Sequence, residues 1–338
     1  MLVYNGLPHL KEAIESILNQ SYKNFEFLII DDASPDKNIV KCIESYDDSR
    51  IRFIKNDKNL GVSITFNKAL SLINTPYIIR ADQDDISLSK RVEEQLNFLE
   101  KNPNISIVCS WEHVIDERGN RLYNATSSIK NYGAFLAPIF LGICPIWHPS
   151  IAFKKDSMIN AGGFKKEFTR AEDFDVTARL AIKRYEARVL EKFHLLQRQH
   201  EASQSQEFSK EMAKMSNKIQ EESISHFVEK KDAKKIAYFL RLNIDRNSNN
   251  FKSYIIEINT ILKKLFDIVN SKQKMTSNEF SLFKKIILKR IGLGIKLLPY
   301  YSFFPSILFK IIFYFLSPLY LKNVYNTVSK IYNFIKKF

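Results

Sequence analysis

Asp82, Asp84 and Asp85 place three carboxylates within four positions of the sequence. They follow the apolar run Tyr77–Ala81, which has the composition of a buried strand. Carboxylates this close repel one another unless a cation or hydrogen-bond donors neutralise them. Oxygen ligands suit the hard ions Mg²⁺ and Mn²⁺, which in proteins often bridge to substrate phosphates. A single Asp here would more simply favour the N-terminus of the following helix, whereas three together favour a divalent-metal site.

Two further acidic pairs lie at the end of a predicted strand and at the start of a predicted helix, where carboxylates could take part in binding or catalysis. Asp31–Asp32 ends the apolar run Phe25–Ile30 and is followed by Ser34. An Asx turn or a helix cap is the commoner role of such a sequence. Glu172–Asp173 heads an apolar pattern of helical spacing. Carboxylates in a first helical turn usually interact with the helix dipole, but a general base would look the same, so both pairs keep a structural and a chemical interpretation.

The elements that must position these carboxylates form an α/β pattern. Over the first 120 residues, short apolar runs alternate with apolar residues at helical spacing, which is typical of a mostly parallel sheet covered by helices. Ligands bind such sheets outside the carboxyl ends of the strands, where the acidic groups stand. The first predicted strand is so short that we expect it to be truncated. The predicted strands are Leu2–Val3, Phe25–Ile30, Ile51–Ile54, Tyr77–Ala81 and Ile105–Trp111, and the predicted helices include Val62–Leu72 and Arg91–Glu100.

The alternation of strands and helices stops near residue 205. Long amphipathic helical patterns follow, for example at Ile236–Leu242 and Tyr254–Val269. The fold class predicted is therefore α/β, followed by a helical C-terminal region. We predict an α/β domain over residues 1–206, a helical region over 207–280, and a basic, aromatic-rich helical segment over 281–338.

Length and composition describe a globular protein of about two domains. The chain has 338 residues, of which 45% are hydrophobic, with 9 glycines, 10 prolines and 3 cysteines. These values exclude disordered, collagen-like and disulfide-rich classes. Cys42, Cys109 and Cys144 are far apart and lack metal-ligand spacing, so we expect free thiols in a reducing, cytoplasmic compartment. No leader-like segment opens the sequence, which fits that location.

Most of the net charge of +14 lies at the carboxyl end, because residues 280–338 contain ten lysines and arginines and no acidic residue. The uncharged runs Leu297–Phe309 and Ile311–Leu321 are shorter than the roughly 20 apolar residues of a membrane-spanning helix. Dense aromatic rings beside lysines favour a segment lying on an anionic membrane surface. The alternative is a helical hairpin packed on the α/β domain. A nucleic-acid partner is not expected, because the segment is too apolar to track phosphates.

The order and spacing of several short motifs resemble the family 2 inverting glycosyltransferases of the A-type fold. The resemblance covers residues 1–206 and implies a Rossmann-like, mostly parallel sheet that binds a nucleotide sugar. It does not extend to the helical half. The motifs are Tyr4-Asn5, Asp31-Asp32-x-Ser34, Arg80-x-Asp82-x-Asp84-Asp85, His148-Pro149-Ser150, Gly162-Gly163-Phe164, Glu172-Asp173 and Arg198-x-His200.

The resemblance also implies roles for residues on the donor side. Tyr4 and Asp32 match positions that contact the nucleoside. Asp84 and Asp85 match the element that binds the ribose and a divalent metal, Mn²⁺ or Mg²⁺. Asp85 is the stronger candidate for the metal ligand.

Other matched positions concern the acceptor and the closing of the site. Asp173 matches the catalytic base, and Glu172 supports it. Arg198 and His200 match a segment that closes over the donor. His148 could contact the acceptor or the diphosphate, but a structural role before a proline remains equally open.

The implied reaction is the transfer of one sugar, with inversion, from a nucleotide-diphosphate sugar to a glycan or lipid-linked acceptor. Its expected setting is surface-polysaccharide assembly at the inner face of the cell membrane. The Gln-x-x-Arg-Trp motif of processive relatives is absent from Gln197–His200. One alternative is a catalytically silent, sugar-nucleotide-binding or assembly protein. A nucleotidyltransferase is disfavoured, because the first 60 residues contain only Gly6 and so no Gly-rich phosphate loop.

Overall fold

The computed structural model describes residues 1–199, 209–241 and 251–296. Strands and helices alternate through residue 198, and the described residues beyond 209 are largely helical. The strands are β1 (Leu2–Val3), β2 (Phe27–Asp31), β3 (Ile51–Lys55), β4 (Tyr77–Ile79), β5 (Ile86–Ser87), β6 (Ile105–Ile115), β7 (Arg121–Ala125), β8 (Ala152–Lys154) and β9 (Glu186–Arg198). The helices are α1 (Leu10–Leu18), α2 (Lys37–Glu44), α3 (Val62–Leu72), α4 (Arg91–Lys101), α5 (Tyr132–Phe140), α6 (Lys155–Asn160), α7 (Glu172–Ile182), α8 (Ser209–Ser225), α9 (Lys230–Leu240), α10 (Phe251–Gln273) and α11 (Ser277–Lys296), with a short 3-10 helix at His148–Ser150.

Strands β1, β2 and β3 form a parallel sheet in that order. Every residue of β2 is buried, as its continuous apolar sequence predicts for a strand covered on both faces. Leu10, Ile14 and Ile17 of α1 recur at helical spacing and pack into the core beside this sheet. The α/β class predicted from the first 120 residues is confirmed.

The second sheet is mixed, with the strand order β4-β8-β6-β9-β5 and with β7 paired to β6. Strands β6 and β9 run parallel to each other, and the other pairs are antiparallel. Each antiparallel pair includes at least one of the short strands β5, β7 and β8, which the apolar pattern of the sequence does not predict. Strand β9 ends at Arg198, beside the segment Asp82–Asp85 that joins β4 to β5, which we call the acidic turn.

An apolar cavity of about 460 Å³ lies between β2 and β4. Leu2 and Val3 pair with β2, and no described strand pairing joins β1 to β4. The Met1 backbone nitrogen donates to the Leu28 carbonyl at 2.8 Å. Side chains such as Ile30 and Ile79 face the cavity from the two sheets. Packing around this space, rather than one continuous ladder of hydrogen bonds, therefore connects the two sheets.

The helices after residue 209 pack on α5 and α7 in one shared hydrophobic core. The Phe140 ring of α5 lies 5.5 Å, centroid to centroid, from the rings of both Phe227 and Phe283. Gly133 allows α5 and α11 to approach closely, because a Cβ atom there would overlap the Glu279 carbonyl. The predicted helical C-terminal region is confirmed for the described residues. The division at residues 206 and 280 stays a prediction.

Part of the basic segment predicted at 281–338 lies in α11. Phe283 and Ile287 are buried in the shared core, so this part packs on the protein. None of the helices in the described ranges is long and apolar enough to cross a bilayer. Residues 297–338, which contain both uncharged runs, lie outside the described residues, and their contact with a membrane surface stays a prediction.

Candidate active site

The acidic turn brings its three carboxylates together beside the end of β9. Asp85 is 6% exposed, and its Oδ1 accepts a hydrogen bond from the Arg198 backbone N–H at 2.9 Å. Burial, with added repulsion from Asp82 and Asp84, raises the pKa of Asp85 well above its usual value. The Asp82 carboxylate accepts two hydrogen bonds from Arg80, at 2.7 and 3.1 Å. The turn is therefore a crowded anionic site with one of its charges already paired.

Arg198 fixes the position of the acidic turn. Its side chain is nearly inaccessible, and its Nε donates to the Asp84 carbonyl at 3.1 Å. Its Nη1 donates to the carbonyls of Asp116 and Glu117 at 3.2 and 3.0 Å, and its Nη2 donates to the Glu12 carboxylate at 2.5 Å. Each guanidinium nitrogen is thus bonded to the protein itself. The contact of this side chain with a donor stays a prediction.

Asp32 accepts four hydrogen bonds from the segment between β3 and the first turns of α3. Its Oδ1 accepts from the Asn56 amide at 2.7 Å, from the Leu60 N–H at 3.0 Å and from the Thr65 hydroxyl at 3.0 Å. Its Oδ2 accepts from the Gly61 N–H at 2.8 Å. The buried carboxylate therefore orders this loop, and its contact with a nucleoside stays a prediction.

Tyr4 and Asp31 stand at the carboxyl ends of β1 and β2. Tyr4 is 44% exposed, so its side chain is accessible to a ligand. Asp31 is buried, and its Oδ1 accepts from the Ser34 N–H at 3.0 Å. Its Oδ2 has no hydrogen-bond partner in the described part of the chain, although the Lys55 ammonium lies 3.9 Å away. The other donor-side candidate, His200, lies outside the described residues.

The Glu172–Asp173 pair begins helix α7, as the sequence predicts. Asp173 Oδ1 accepts from the Phe174 N–H at 2.7 Å. Burial raises the pKa of Asp173, while the Arg80 charge lowers it and the Asp82 charge raises it further. Burial first, and the Asp173 charge second, raise the pKa of Glu172 to about 7. A carboxylate far from the acidic turn in sequence thus lies within electrostatic reach of it in the fold.

Arg80 connects these two acidic groups. Besides its bonds to Asp82, its Nη1 contacts His148 Nδ1, and its guanidinium carbon lies 4.9 Å from the centroid of the Phe66 ring. Burial, and then the Arg80 charge, lower the pKa of His148 well below its usual value, so the neutral imidazole accepts from Arg80. His148, for which the sequence left two roles open, therefore supports an arginine. The motif contains Arg80, but the sequence does not show with which carboxylates this arginine interacts.

Glu112 and Arg91 are fully buried charged residues that sequence reasoning missed. Arg91 donates to the carbonyls of Arg80 and Pro149 at 2.7 and 2.8 Å, and so holds the strand end that carries the site. Neither carboxylate oxygen of Glu112 has a hydrogen bond of good geometry among the described residues. Burial raises the pKa of Glu112 to about 7, although Ser150 and Arg91 lower it. The available signal was one acidic residue inside the largely apolar sequence of β6.

A permanent metal centre is not evident. Across residues 1–199, 209–241 and 251–296, no group of three or more His, Cys, Asp or Glu side chains is arranged to hold a metal ion. Mg²⁺, however, is commonly bound by only one or two protein carboxylates, with water and substrate phosphates as the other ligands. The carboxylates of the acidic turn fit an ion that binds together with a diphosphate.

Comparison with known proteins agrees with this geometry. The profile of the family described as Glycosyl transferase family 2 matches residues 1–159. The chain is 34% identical over 198 residues to the uncharacterized glycosyltransferase MJ1057 of Methanocaldococcus jannaschii, covering 58% of this chain and 68% of that protein. It is also 34% identical over 183 residues to the putative glycosyltransferase EpsE of Bacillus subtilis, covering 53% of this chain and 64% of EpsE.

A solved structure supports the predicted fold. TarS 1–349 of S. aureus in complex with UDP-GlcNAc superposes with a TM-score of 0.56 at 12% sequence identity, over 90% of this chain and 91% of that one. Together with the mixed central sheet, this likeness confirms the A-type fold. The family profile includes the acidic turn and ends before Glu172–Asp173. On the strength of these sequence matches, the chain belongs to glycosyl transferase family 2.

Proposed function

We propose that this glycosyltransferase moves a single sugar from a nucleotide-diphosphate sugar to a glycan or lipid-linked acceptor, with inversion at the anomeric carbon. The observation that carries the proposal is that Arg80 donates to Asp82 of the acidic turn while its charge also acts on Asp173, a half-buried carboxylate. Such a transfer needs a base for the incoming hydroxyl next to a site for the leaving diphosphate. In this proposal the two acidic groups divide these tasks.

Asp173 is the base in this proposal. A sugar hydroxyl is a weak nucleophile at neutral pH, so Asp173 accepts its proton while the oxygen attacks the anomeric carbon. The bond from that carbon to the diphosphate breaks on the opposite face, and the configuration inverts. Burial makes Asp173 more basic than an exposed carboxylate, and Arg80 limits this effect. Glu172 stands beside it as a second acid–base group.

The acidic turn binds the donor in this proposal. Asp85 and Asp84 would hold Mn²⁺ or Mg²⁺, and Asp84 would also contact the ribose. A divalent ion bound there supplies positive charge that stabilises the departing diphosphate. A bound cation would most strongly stabilise the ionised form of Asp85, because burial and two neighbouring carboxylates disfavour its negative charge. Tyr4 and Asp32 would border the nucleoside, and Arg198 and His200 would belong to a segment that closes over the donor.

Replacing Asp173 tests the base. Asp173→Asn is expected to lower the transfer rate by about 10³-fold while leaving the donor Kd within about twofold, because it removes proton acceptance and not the acidic turn. Asp156→Asn is the matched control, since Asp156 also lies in a first helical turn but has an exposed side chain. Normal transfer by the Asp173 variant would refute its role. Donor binding with no transfer by the unsubstituted protein would instead support the catalytically silent alternative.

Donor binding with and without metal tests the acidic turn. Calorimetry with UDP-GlcNAc is the first measurement, because a structural neighbour was solved with that compound; other nucleotide sugars follow. We expect Mn²⁺ or Mg²⁺ to be required and Asp85→Ala to abolish binding, with the exposed Asp57→Ala as the control. Donor affinity that EDTA leaves unchanged would contradict the assignment of Asp84 and Asp85 as metal ligands.

We also propose that the enzyme acts in the cytoplasm, peripheral to the inner face of the membrane, in surface-polysaccharide assembly. Cys42, Cys109 and Cys144 are free thiols, which suits a reducing compartment. The ten basic residues after position 280 suit an anionic leaflet. The full chain should sediment with phosphatidylglycerol vesicles and not with phosphatidylcholine vesicles, and about 0.5 M salt should release it. Equal sedimentation with both lipids would refute electrostatic attachment.

A further inference from the structure

The side chain of Gln83 joins the acidic turn to the backbone of Tyr4. The Tyr4 N–H donates to Gln83 Oε1 at 2.8 Å, and Gln83 Nε2 donates to the Tyr4 carbonyl at 3.0 Å. A primary amide can donate and accept in one plane, so it pairs with a backbone residue as a neighbouring strand would. Alanine at this position could make neither bond.

The surroundings of this amide are fitted to it. A Cβ atom on Gly6 would lie 2.6 Å from Gln83 Oε1, so only glycine at that position leaves the amide in place. On the other side of the loop, the Asn5 N–H donates to Ser34 Oγ at 3.0 Å. The backbone after β1 is therefore tied to the ends of both β2 and β4.

Gln83 also separates two residues with different proposed tasks. Its neighbour in sequence, Asp84, belongs to the proposed diphosphate and metal site. Its hydrogen-bond partner, Tyr4, has an exposed side chain at the proposed nucleoside site. The amide thus links two parts of the proposed site, both of which one donor molecule must contact at the same time.

We infer that Gln83 is a positioning residue, which holds the nucleoside site and the diphosphate site at the spacing of a nucleoside diphosphate. The inference rests on the proposed function. A ligand of two linked parts gains affinity over its fragments only when both subsites are held at the matching distance. Loosening this link should therefore weaken the whole nucleotide and leave its separate parts almost unaffected.

The test compares UDP with its fragments, uridine and pyrophosphate, in the presence of Mn²⁺. For Gln83→Ala we expect the Kd of UDP to rise about tenfold, the loss of roughly one net hydrogen bond, while the Kd of each fragment stays within about twofold. The KM for the donor should rise by a similar factor with little change in kcat. Gln83→Met keeps the length without the hydrogen bonds and should behave in the same way.

Two controls separate positioning from damage to the fold. Asn102→Ala removes a side-chain amide that donates to the Phe98 carbonyl at the end of α4, away from the proposed site, and it should leave UDP binding unchanged. The thermal midpoint of the Gln83 variants should stay within a few degrees of the parent, because the amide lies near the surface.

The outcomes distinguish the inference from the function on which it depends. Unchanged UDP affinity in both Gln83 variants would overturn the inference alone. Fragment affinities that fall as much as that of UDP would also overturn it, because the residue would then shape one subsite rather than their spacing. If the unsubstituted protein bound neither UDP nor GDP, the proposed function would fail and the inference with it.

Discussion

Replacement of Glu112 by glutamine should stabilise the protein at alkaline pH relative to the parent. Glu112 is 0% exposed, and its carboxylate has no well-formed hydrogen bond in the described part of the chain. The Arg91 charge lowers the pKa of Glu112, but that guanidinium donates to Ser87, to Gln95 and to two backbone carbonyls rather than to Glu112. The negative charge is therefore buried without direct compensation, which is unfavourable.

The size of the effect follows from the difference in proton affinity between the folded and unfolded chains. Burial raises the pKa of Glu112 from an ordinary value of 4.5 to about 7. Folded Glu112 therefore keeps its proton up to about pH 7, whereas the unfolded chain releases it near pH 4.5. The free energy of unfolding falls as the pH rises through this window and the loss is complete above it. At about 1.4 kcal/mol per pKa unit, the full loss is about 3 kcal/mol.

Glutamine has nearly the same shape and does not titrate. Its amide carries a constant cost of burial, so the informative quantity is the change with pH. Urea unfolding at pH 5 and at pH 8.5 should show the Glu112→Gln variant gaining roughly 2 to 3 kcal/mol relative to the parent between the two conditions. Glu117→Gln, at an exposed position just beyond β6, is the control, because it removes a charge without altering the buried residues Glu112 and Arg91. If Glu112→Gln lost as much stability at pH 8.5 as at pH 5, Glu112 would be ionised and satisfied in the fold, and the reasoning from burial would be wrong.

Three further substitutions test the site and its support. Arg80→Gln should move the acid limb of the kcat/KM profile to higher pH, because the Arg80 charge lowers the pKa of Asp173 and a base acts only when deprotonated; an unmoved limb would contradict this pairing. Asp32→Asn should lower the free energy of unfolding in urea by about 2 kcal/mol or more, since an amide cannot accept all four hydrogen bonds; an unchanged midpoint would mean that the loop is ordered by other contacts. Gly133→Ala should expose α11 to limited proteolysis before the α/β part is cleaved, because its new methyl group overlaps the Glu279 carbonyl; a parental cleavage pattern would show that the helices can shift to accept it.

Much of the first half of the fold was predictable from hydrophobic periodicity. Helix α3 begins and ends where the sequence predicts, and β2 and α4 differ from their predicted bounds by no more than two residues. Strand β7 could not be found in this way, because four of its five residues are exposed and carry no apolar pattern. Strand β8 has only three residues, too few for any period to appear. Such strands form because β6 offers them a partner, which no local pattern records.

The candidate site was predictable in its composition and not in its internal pairing. Spacing placed the carboxylates at strand ends and at the head of a helix, and the fold brings Asp173 within reach of the acidic turn. The sequence alone could not show that the Arg198 side chain hydrogen-bonds to other parts of the protein. Nor could it show that His148 contacts Arg80. Both contacts depend on distances between segments that are remote in the chain. The same holds for Glu112, whose carboxylate lacks hydrogen-bond partners because of how the core around it packs.

The five hydrogen bonds made by the main chain and side chain of Arg198 reach three separate segments: the acidic turn, the turn between β6 and β7, and helix α1. A guanidinium is planar and rigid, so displacing one of these segments alone would break its hydrogen bonds to Arg198. Any opening that releases a spent nucleotide would therefore have to shift the three segments as one body. Movement of this region and its tolerance to substitution should therefore both depend on a single residue at the end of β9.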